Sequence, residues 1–99
     1  MARVEVSEAA AEDLARLIQT HSLPADTKER VQRSLRPLEQ FPLLGAELGG
    51  RWRSFRFILG PWRWMVMVYV YLGNEDRAVV VTIQDGRSAR MGTPGHSRR

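Results

Sequence analysis

An uninterrupted apolar stretch, Trp64 to Leu72, constrains the fold more than any other feature of this chain. It contains nine residues, whereas a helix that crosses a membrane needs about 20. Valines and aromatic residues dominate it, and a strand that is apolar on both faces lies in the middle of a sheet. The sequence therefore predicts a central β-strand over Trp62–Leu72.

Three further segments have the period or the composition of strands. They are Arg3–Val6, which alternates polar and apolar residues, Trp52–Leu59 and Arg77–Gln84. Gly60-Pro61 is a turn sequence, and Gly73-Asn74 is typical of a hairpin. The sequence thus predicts a mostly antiparallel sheet of four strands, with Leu43 to Gly50 as a connecting loop.

Two helical patterns lie between the first two strands. Ser7 is placed to cap a helix that runs to about Thr20. Asp26 with Glu29 has the form of a capping box for a second helix, in which Pro37 predicts a kink or a break. A short connection favours an antiparallel helical hairpin. We therefore expect a two-layer α+β fold, with the N-terminal strand and the hairpin packed on one face of the sheet.

The composition limits the class of protein. A chain of 99 residues, 43% of them hydrophobic, fits one globular domain. We assign it to residues 1–90, followed by a flexible basic tail over 91–99. There are no cysteines and only two histidines, which excludes a disulfide scaffold or a cysteine nucleophile and argues against a metal site. Neither metal nor cofactor is expected. No signal-peptide core is visible, so a cytoplasmic protein without membrane contact is predicted.

The charge is unevenly distributed. Residues 1–50 carry a net charge of −2 and residues 51–99 a net charge of +6. A basic C-terminal half favours an anionic partner such as nucleic acid or an acidic peptide. The alternative is that arginine is simply the preferred cation, since Lys28 is the only lysine. Composition leaves both open.

The two faces of the central strand differ in composition. Valines alternate with a second set of side chains, Met65, Met67, Tyr69 and Tyr71. If the valine face packs beneath the helices, this second face is open. An open face of this kind could stack bases and hold phosphates, or bury an apolar peptide of a partner. A sheet covered on both sides ranks lower, because one helical hairpin cannot cover both faces.

Arginines flank the predicted strands. Arg56 lies on the strand before the central one, Arg63 at the start of the central one, and Arg87 and Arg90 after the last. A meander brings these segments to one end of the sheet, where clustered guanidiniums can bind phosphate and stabilise its developing charge. The alternative for each arginine is a solvated charge or an ion pair with a carboxylate such as Asp85.

General acid–base candidates are weak at the level of sequence. Asp85 lies in a typical turn sequence, His21 reads as a surface residue of the interhelical loop, and His96 falls in the tail. The phenols of Tyr69 and Tyr71 could act only if their pKa were lowered. No Ser/His/Asp arrangement, phosphate-binding loop or metal-ligand spacing is present.

A series of short motifs runs through the chain over roughly residues 3–90. They are Val4-Glu5-Val6-Ser7, Ala9-Ala10, Asp13-Leu14, Leu35-x-x-Leu38-x-x-Phe41-Pro42, Gly45, Leu48-x-Gly50, Arg53-Ser54-Phe55-Arg56-Phe57, Trp62-Arg63-Trp64, Tyr69, Val80-Val81-Thr82-Ile83 and Gly86-Arg87. In this order they resemble the RelE/ParE superfamily of bacterial toxins from type II toxin–antitoxin modules. The resemblance implies a toxin of two helices and a sheet that a cognate antitoxin neutralises.

The superfamily contains two activities. RelE-like members cleave mRNA in the ribosomal A site without a metal, and ParE-like members inhibit DNA gyrase. On this resemblance Arg56, Arg63 and Arg87 match the basic positions of the site, and we predict them as catalytic. The residues predicted to bind substrate are Arg53, Arg90, Tyr69 and Tyr71.

Two positions depart from the RelE-type pattern. Ile58 stands where that pattern has a second basic residue, and no tyrosine follows Tyr71. The prediction is nevertheless a toxin that inhibits translation by metal-independent, ribosome-dependent mRNA cleavage, with the 2′-hydroxyl of the RNA as nucleophile. Its expected partners are the antitoxin, the ribosome and mRNA. The alternative is a ParE-type inhibitor that binds gyrase and does not cleave.

Overall fold

The long apolar stretch forms the central strand of a five-stranded sheet. The computed structural model describes residues 1–87, so Arg90 and the predicted tail lie outside the described residues. The regular elements are β1 (Arg3–Val6), α1 (Glu8–His21), α2 (Thr27–Leu35), β2 (Ala46–Glu47), β3 (Arg56–Leu59), β4 (Met65–Leu72) and β5 (Arg77–Asp85). Short 3-10 turns cover Arg36–Glu39, Gly50–Trp52 and Gly73–Glu75. The α+β class is confirmed.

The sheet has the order β1-β5-β4-β3-β2. β1 is an edge strand parallel to β5, while the other neighbouring strands are antiparallel. The prediction of four strands is therefore wrong, as is the placement of the N-terminal strand on a face of the sheet. The fifth strand is β2, which pairs with Phe57 and Arg56 inside the segment predicted as a loop. Two residues are too few to show a period in the sequence.

Two strands are shorter than predicted, because a 3-10 turn or a tight turn occupies their first residues. A 3-10 turn over Gly50–Trp52 delays β3 to Arg56. The Met65 N–H closes a turn on the Trp62 carbonyl at 2.9 Å, so β4 starts at Met65. Arg63 consequently lies in the β3–β4 turn and not on a strand.

The helix ends follow local chemistry. Ser7 caps α1 as predicted, since its hydroxyl accepts from the Ala10 N–H at 3.1 Å. Asp26 does not cap α2 with its side chain, and its carboxylate accepts from Arg30 Nε at 3.1 Å instead. Pro37 follows the end of α2 within a 3-10 turn, which confirms the predicted break. Within residues 1–87, neither helix is long and apolar enough to cross a membrane.

The core lies between the helices and the face of β4 that was predicted to be open. Met65, Met67 and Tyr69 have no exposed surface, and they pack with apolar side chains of both helices. The valine face therefore does not lie beneath the helices, and the second face is not open; Val66 and Val68 on the valine face are themselves only 9% and 3% exposed. Both faces of this strand are apolar, so the pattern could not tell which one the helices cover. Long, adaptable methionine side chains fill the irregular space between helices and sheet.

Tyr69 also fixes the chain before β2. Its hydroxyl donates to the Pro42 carbonyl at 2.7 Å and accepts from the Gly45 N–H at 2.9 Å. Only glycine fits at position 45, because an added Cβ would lie 2.6 Å from the Phe57 carbonyl oxygen and 2.8 Å from Tyr69 Cε1. The buried phenol thus joins β4 to the segment that enters β2.

Gly45→Ala is expected to destabilise the protein by about 1–3 kcal/mol, the usual cost of overpacking a rigid site. Gly49→Ala is the matched control, because a Cβ at position 49 meets no atom within 4 Å. Urea unfolding of both variants checks this expectation. Equal midpoints for the two variants would show that the contact between Gly45 and Tyr69 does not constrain the fold.

Candidate functional site

Two of the predicted catalytic arginines lie on neighbouring segments at one end of the sheet, and the third lies farther along it. Met65 pairs with Asp85, and the Gly86 N–H donates to the Trp64 carbonyl at 2.6 Å, so the segments that carry Arg63 and Arg87 are neighbours. Arg56 pairs with Tyr69. That position is four residues, or about 13 Å, from Met65 along β4. The three predicted catalytic arginines therefore lie at two separate places on the sheet.

Arg56 on β3 binds the segment that contains the edge strand β2. Its Nη1 donates to the carbonyls of Gly45 at 2.8 Å and Leu43 at 3.2 Å, and its Nη2 donates to Glu47 Oε2 at 3.0 Å. These three bonds fix the segment around β2. The guanidinium is thus largely committed within the fold, and its predicted catalytic role stays a prediction that this geometry does not favour.

Arg63 has the opposite environment. It is exposed at the β3–β4 turn and forms no ion pair with any residue from 1 to 87. The turn that carries it is closed by the backbone hydrogen bond between Met65 and Trp62. The guanidinium therefore stands on a fixed backbone and is exposed, with no carboxylate partner among residues 1 to 87.

Aromatic and basic side chains pack against one another at the turn that carries Arg63. Trp62 and Trp64 stack with ring centroids 6.1 Å apart and planes at 20°. Arg87 Cζ lies 5.0 Å from the centroid of Trp64, and Arg30 Cζ lies 5.8 Å from that of Trp62. Cation–π contacts of this kind hold long basic side chains in place. We call these five residues the basic–aromatic cluster.

Asp85 joins this cluster to α1. Its two carboxylate oxygens accept from Arg87 Nε and Nη2, both at 3.0 Å, and from the Arg87 backbone N–H at 2.9 Å. Oδ2 also lies 3.1 Å from His21 Nε2. The hydrogen bonds from the Arg87 side chain are the main reason that the pKa of Asp85 is well below its usual range. Asp85 is therefore a carboxylate between a guanidinium and an imidazole.

His21 completes the arrangement from the end of α1. Its ring meets Trp64 edge-on, with centroids 4.6 Å apart and planes at 68°. In the sequence alone, His21 has the pattern of a surface residue and Asp85 that of a turn residue. Their contact spans 64 positions of the chain, so no local spacing could show it. The only sequence signal was the Trp62-Arg63-Trp64 motif itself.

Neither tyrosine of β4 has the lowered pKa that acid–base work needs. Burial raises the pKa of Tyr69, and the side chain has no exposed surface for a substrate. Tyr71 donates to Asp76 Oδ1 at 2.6 Å, and that hydrogen bond raises its pKa. Arg53 is exposed in the turn that precedes β3, away from the basic–aromatic cluster.

A second exposed surface is apolar. Phe41, Leu43 and Leu44 are 61%, 57% and 56% exposed, and they border a shallow groove together with Pro42 and Tyr71. Apolar side chains so exposed and so close in sequence form a patch of the kind found at protein–protein contacts. We call these five residues the apolar loop patch.

No family model matches the chain, and no curated protein sequence matches it. Solved structures do resemble it. One is described as the chromosomal ParDE TA system from P. aeruginosa, with a TM-score of 0.65 and 14% identity over 86% of this chain and 96% of that one. Another is the intact E. coli RelBE toxin–antitoxin complex, with a TM-score of 0.62 and 13% identity over 86% and 96% of the two chains.

A third similar structure is a metal-bound toxin from Helicobacter pylori, with a TM-score of 0.65 and 18% identity over 88% of this chain and 97% of that one. At these identities the likeness establishes the fold. The chain has the fold of the RelE/ParE toxins, as the resemblance in the sequence predicted, over almost the full length of each neighbour.

Proposed function

We propose that this chain is the toxin component of a type II toxin–antitoxin module that acts in the cytoplasm. Two observations support the proposal. The fold is shared with structures of the ParDE and RelBE systems. The chain also carries one basic, aromatic surface and one apolar surface, which suits a protein with both an anionic target and a protein partner.

We infer further that the target is mRNA on the ribosome. The observation that carries this inference is the exposed guanidinium of Arg63, held on a rigid turn between Trp62 and Trp64. A guanidinium grips a phosphate through two parallel hydrogen bonds. Indole rings stack on the bases of single-stranded nucleic acid, and stacking tolerates any sequence. An mRNA exposed in a ribosomal site presents both a phosphate for the guanidinium and bases for the indole rings.

The reaction uses the 2′-hydroxyl of the RNA as nucleophile. In that case the protein has to position the phosphate and stabilise the charge that develops on it. Arg63 takes the phosphate directly. Arg87 donates hydrogen bonds to Asp85 from Nε and Nη2, which leaves its Nη1 group to donate to the phosphate. Proton transfer needs a separate residue, because neither Tyr69 nor Tyr71 has a lowered pKa.

A second candidate function is inhibition of DNA gyrase without cleavage. The commitment of Arg56 to the β2 segment favours this alternative, because a RelE-type cleavage site would require that arginine to face the substrate. In a gyrase inhibitor the basic–aromatic cluster would bind protein or DNA. The two functions differ in whether the message is cut.

Arg63→Ala is expected to lower the rate of mRNA cleavage by about 10²–10³, the usual effect of removing one preorganised donor. Its free energy of unfolding should change by no more than about 0.5 kcal/mol, because the side chain is exposed. The control is Arg51→Ala, which removes another exposed arginine with no ion pair among residues 1–87. Primer extension on a cell-free translation reaction measures cleavage, with and without ribosomes.

Plasmid supercoiling by gyrase is assayed in parallel. Cleavage that needs ribosomes and is lost in Arg63→Ala supports the proposed target. An intact message together with blocked supercoiling would replace it by the gyrase alternative. Equal cleavage by Arg63→Ala and Arg51→Ala would show that the phosphate is bound elsewhere.

We propose that the cognate antitoxin covers the apolar loop patch. An amphipathic segment can bury Phe41, Leu43 and Leu44 and place its carboxylates against neighbouring arginines. Arg36 lies beside Phe41 along a shallow cleft and is exposed. The apolar loop patch, and not the Met65–Tyr71 face of β4, is therefore the apolar surface that we expect a partner peptide to bury.

Leu44→Asp should weaken antitoxin binding by about 10-fold or more, since burying one leucine side chain is worth about 1.5–3 kcal/mol. Leu59→Asp is the matched control, because Leu59 is 45% exposed on β3, outside the patch. Titration calorimetry with the small protein encoded by the neighbouring gene gives both affinities. Equal losses in the two variants would place the antitoxin elsewhere.

A further inference from the structure

The imidazole of His21 lies next to the basic–aromatic cluster and has no role in phosphate binding. His21 is partly accessible, with 24% of its side chain exposed, and its Nε2 lies 3.1 Å from Asp85 Oδ2. The ring is fixed on its other side by edge-on contact with Trp64. A ring held from two sides has a defined direction for its second nitrogen.

The partner of His21 determines its tautomer. Asp85 already accepts both side-chain hydrogen bonds of Arg87 and stays ionised. An ionised carboxylate can only accept hydrogen bonds, so in the neutral imidazole Nε2 carries the hydrogen. Nδ1 is then left with a free lone pair, and it forms no hydrogen bond with any residue from 1 to 87.

We propose that His21 is the general base of the cleavage reaction and that Asp85 positions it. The proposal rests on the proposed function, and it names the proton acceptor which that function lacks. A base must be oriented, accessible and unprotonated at the working pH. His21 meets the first two conditions, because Asp85 and Trp64 orient the ring and 24% of its side chain is exposed. No other imidazole lies among residues 1–87.

Cleavage of one phosphodiester forms one P–O bond and breaks another. Nδ1 of His21 takes the proton of the 2′-hydroxyl as the O2′–P bond forms. The P–O5′ bond breaks, and the leaving O5′ takes a proton from water. The products are a 2′,3′-cyclic phosphate and a 5′-hydroxyl, and the hydroxide left by that water takes the proton back from His21. Arg63 and Arg87 stabilise the charge on phosphorus meanwhile.

Charged groups of both signs lie around the His21 ring. Asp85 faces its Nε2–H with a negative charge. His21 is also the last residue of α1, where the negative end of the helix dipole favours a positive charge. Arg87 opposes it, but its charge is shared with the same Asp85 carboxylate. The three groups carry no net charge before proton transfer and one positive charge after it.

His21→Gln is the most direct test. A glutamine amide can replace the Nε2 donor toward Asp85 but cannot take a proton, so the contact between α1 and β5 is retained. The single-turnover rate of message cleavage on ribosomes is expected to fall by about 10²–10⁴. Affinity for ribosomes that carry an uncleavable message, with a 2′-deoxynucleotide at the cut position, should stay unchanged. His96→Gln removes the only other imidazole and is the control.

A second measurement does not depend on the folding of the His21 variant. In the His96→Gln chain, His21 is the only imidazole. Its pKa can be measured by NMR from the ring Cε1–H, and kcat/KM reports the pKa of the essential base in the free protein. The two values should coincide, and the rate should fall as pH falls through them.

Asp85→Asn tests the positioning residue. An asparagine amide can turn its NH₂ toward Nε2 and favour the tautomer that protonates Nδ1. The expected result is a large loss in cleavage rate together with a shifted pH–rate profile. A structural role alone would lower the melting temperature and leave the pH profile of the folded fraction in place.

The outcomes separate this inference from the proposed function. Cleavage by wild type with an unchanged rate and pH profile in His21→Gln would overturn the role of His21 while the function stands. Loss of cleavage in His96→Gln but not in His21→Gln would show that His96, and not His21, is the general base. Failure of the wild type to cleave any message on ribosomes would overturn both the proposed function and the catalytic role of His21.

Discussion

The packing of Met65, Met67 and Tyr69 against the two helices determines most of this structure. These side chains fill the core, so the helices lie on that face of the sheet and the valine face lies on the other. Tyr69 then ties the segment before β2 to β4 through Pro42 and Gly45. At the end of the sheet, the half-buried rings of Trp62 and Trp64 pack against this core and Arg63 of the β3–β4 turn is exposed.

The end of the sheet combines charges of both signs in a small space. Asp85 accepts from Arg87 and faces His21, while Trp64 contacts both the His21 ring and the Arg87 guanidinium. Four side chains from three parts of the chain therefore restrain one another. Arg63 stands beside them without an ion pair in residues 1–87. A phosphate can bind there without displacing a carboxylate from Arg63.

The sequence allowed the fold to be predicted better than the site. Strong local signals placed α1 with its Ser7 cap, the break at Pro37 and the central strand close to their observed positions. The two-residue β2 was missed because it has no period of its own. The sequence did not show which face of β4 lies beneath the helices, because both faces are apolar and both are buried over Met65–Tyr69.

Site residues were predictable only where a motif placed them next to each other. Trp62-Arg63-Trp64 is such a motif, and the structure leaves its arginine exposed. His21 and Asp85 come together through the crossing of α1 over β5, which the sequence does not reveal. Arg56 was grouped with Arg63 on the assumption of a short meander, but its guanidinium points to the β2 segment.

The chemical ends of the cut message test the central claim most directly. If the chain cleaves mRNA through the 2′-hydroxyl at this end of the sheet, fragments from translating ribosomes will carry a 2′,3′-cyclic phosphate and a 5′-hydroxyl. A message with a 2′-deoxynucleotide at the cut position will stay intact. Fragments with 5′-phosphate ends, or cleavage of the 2′-deoxy message, would contradict the account.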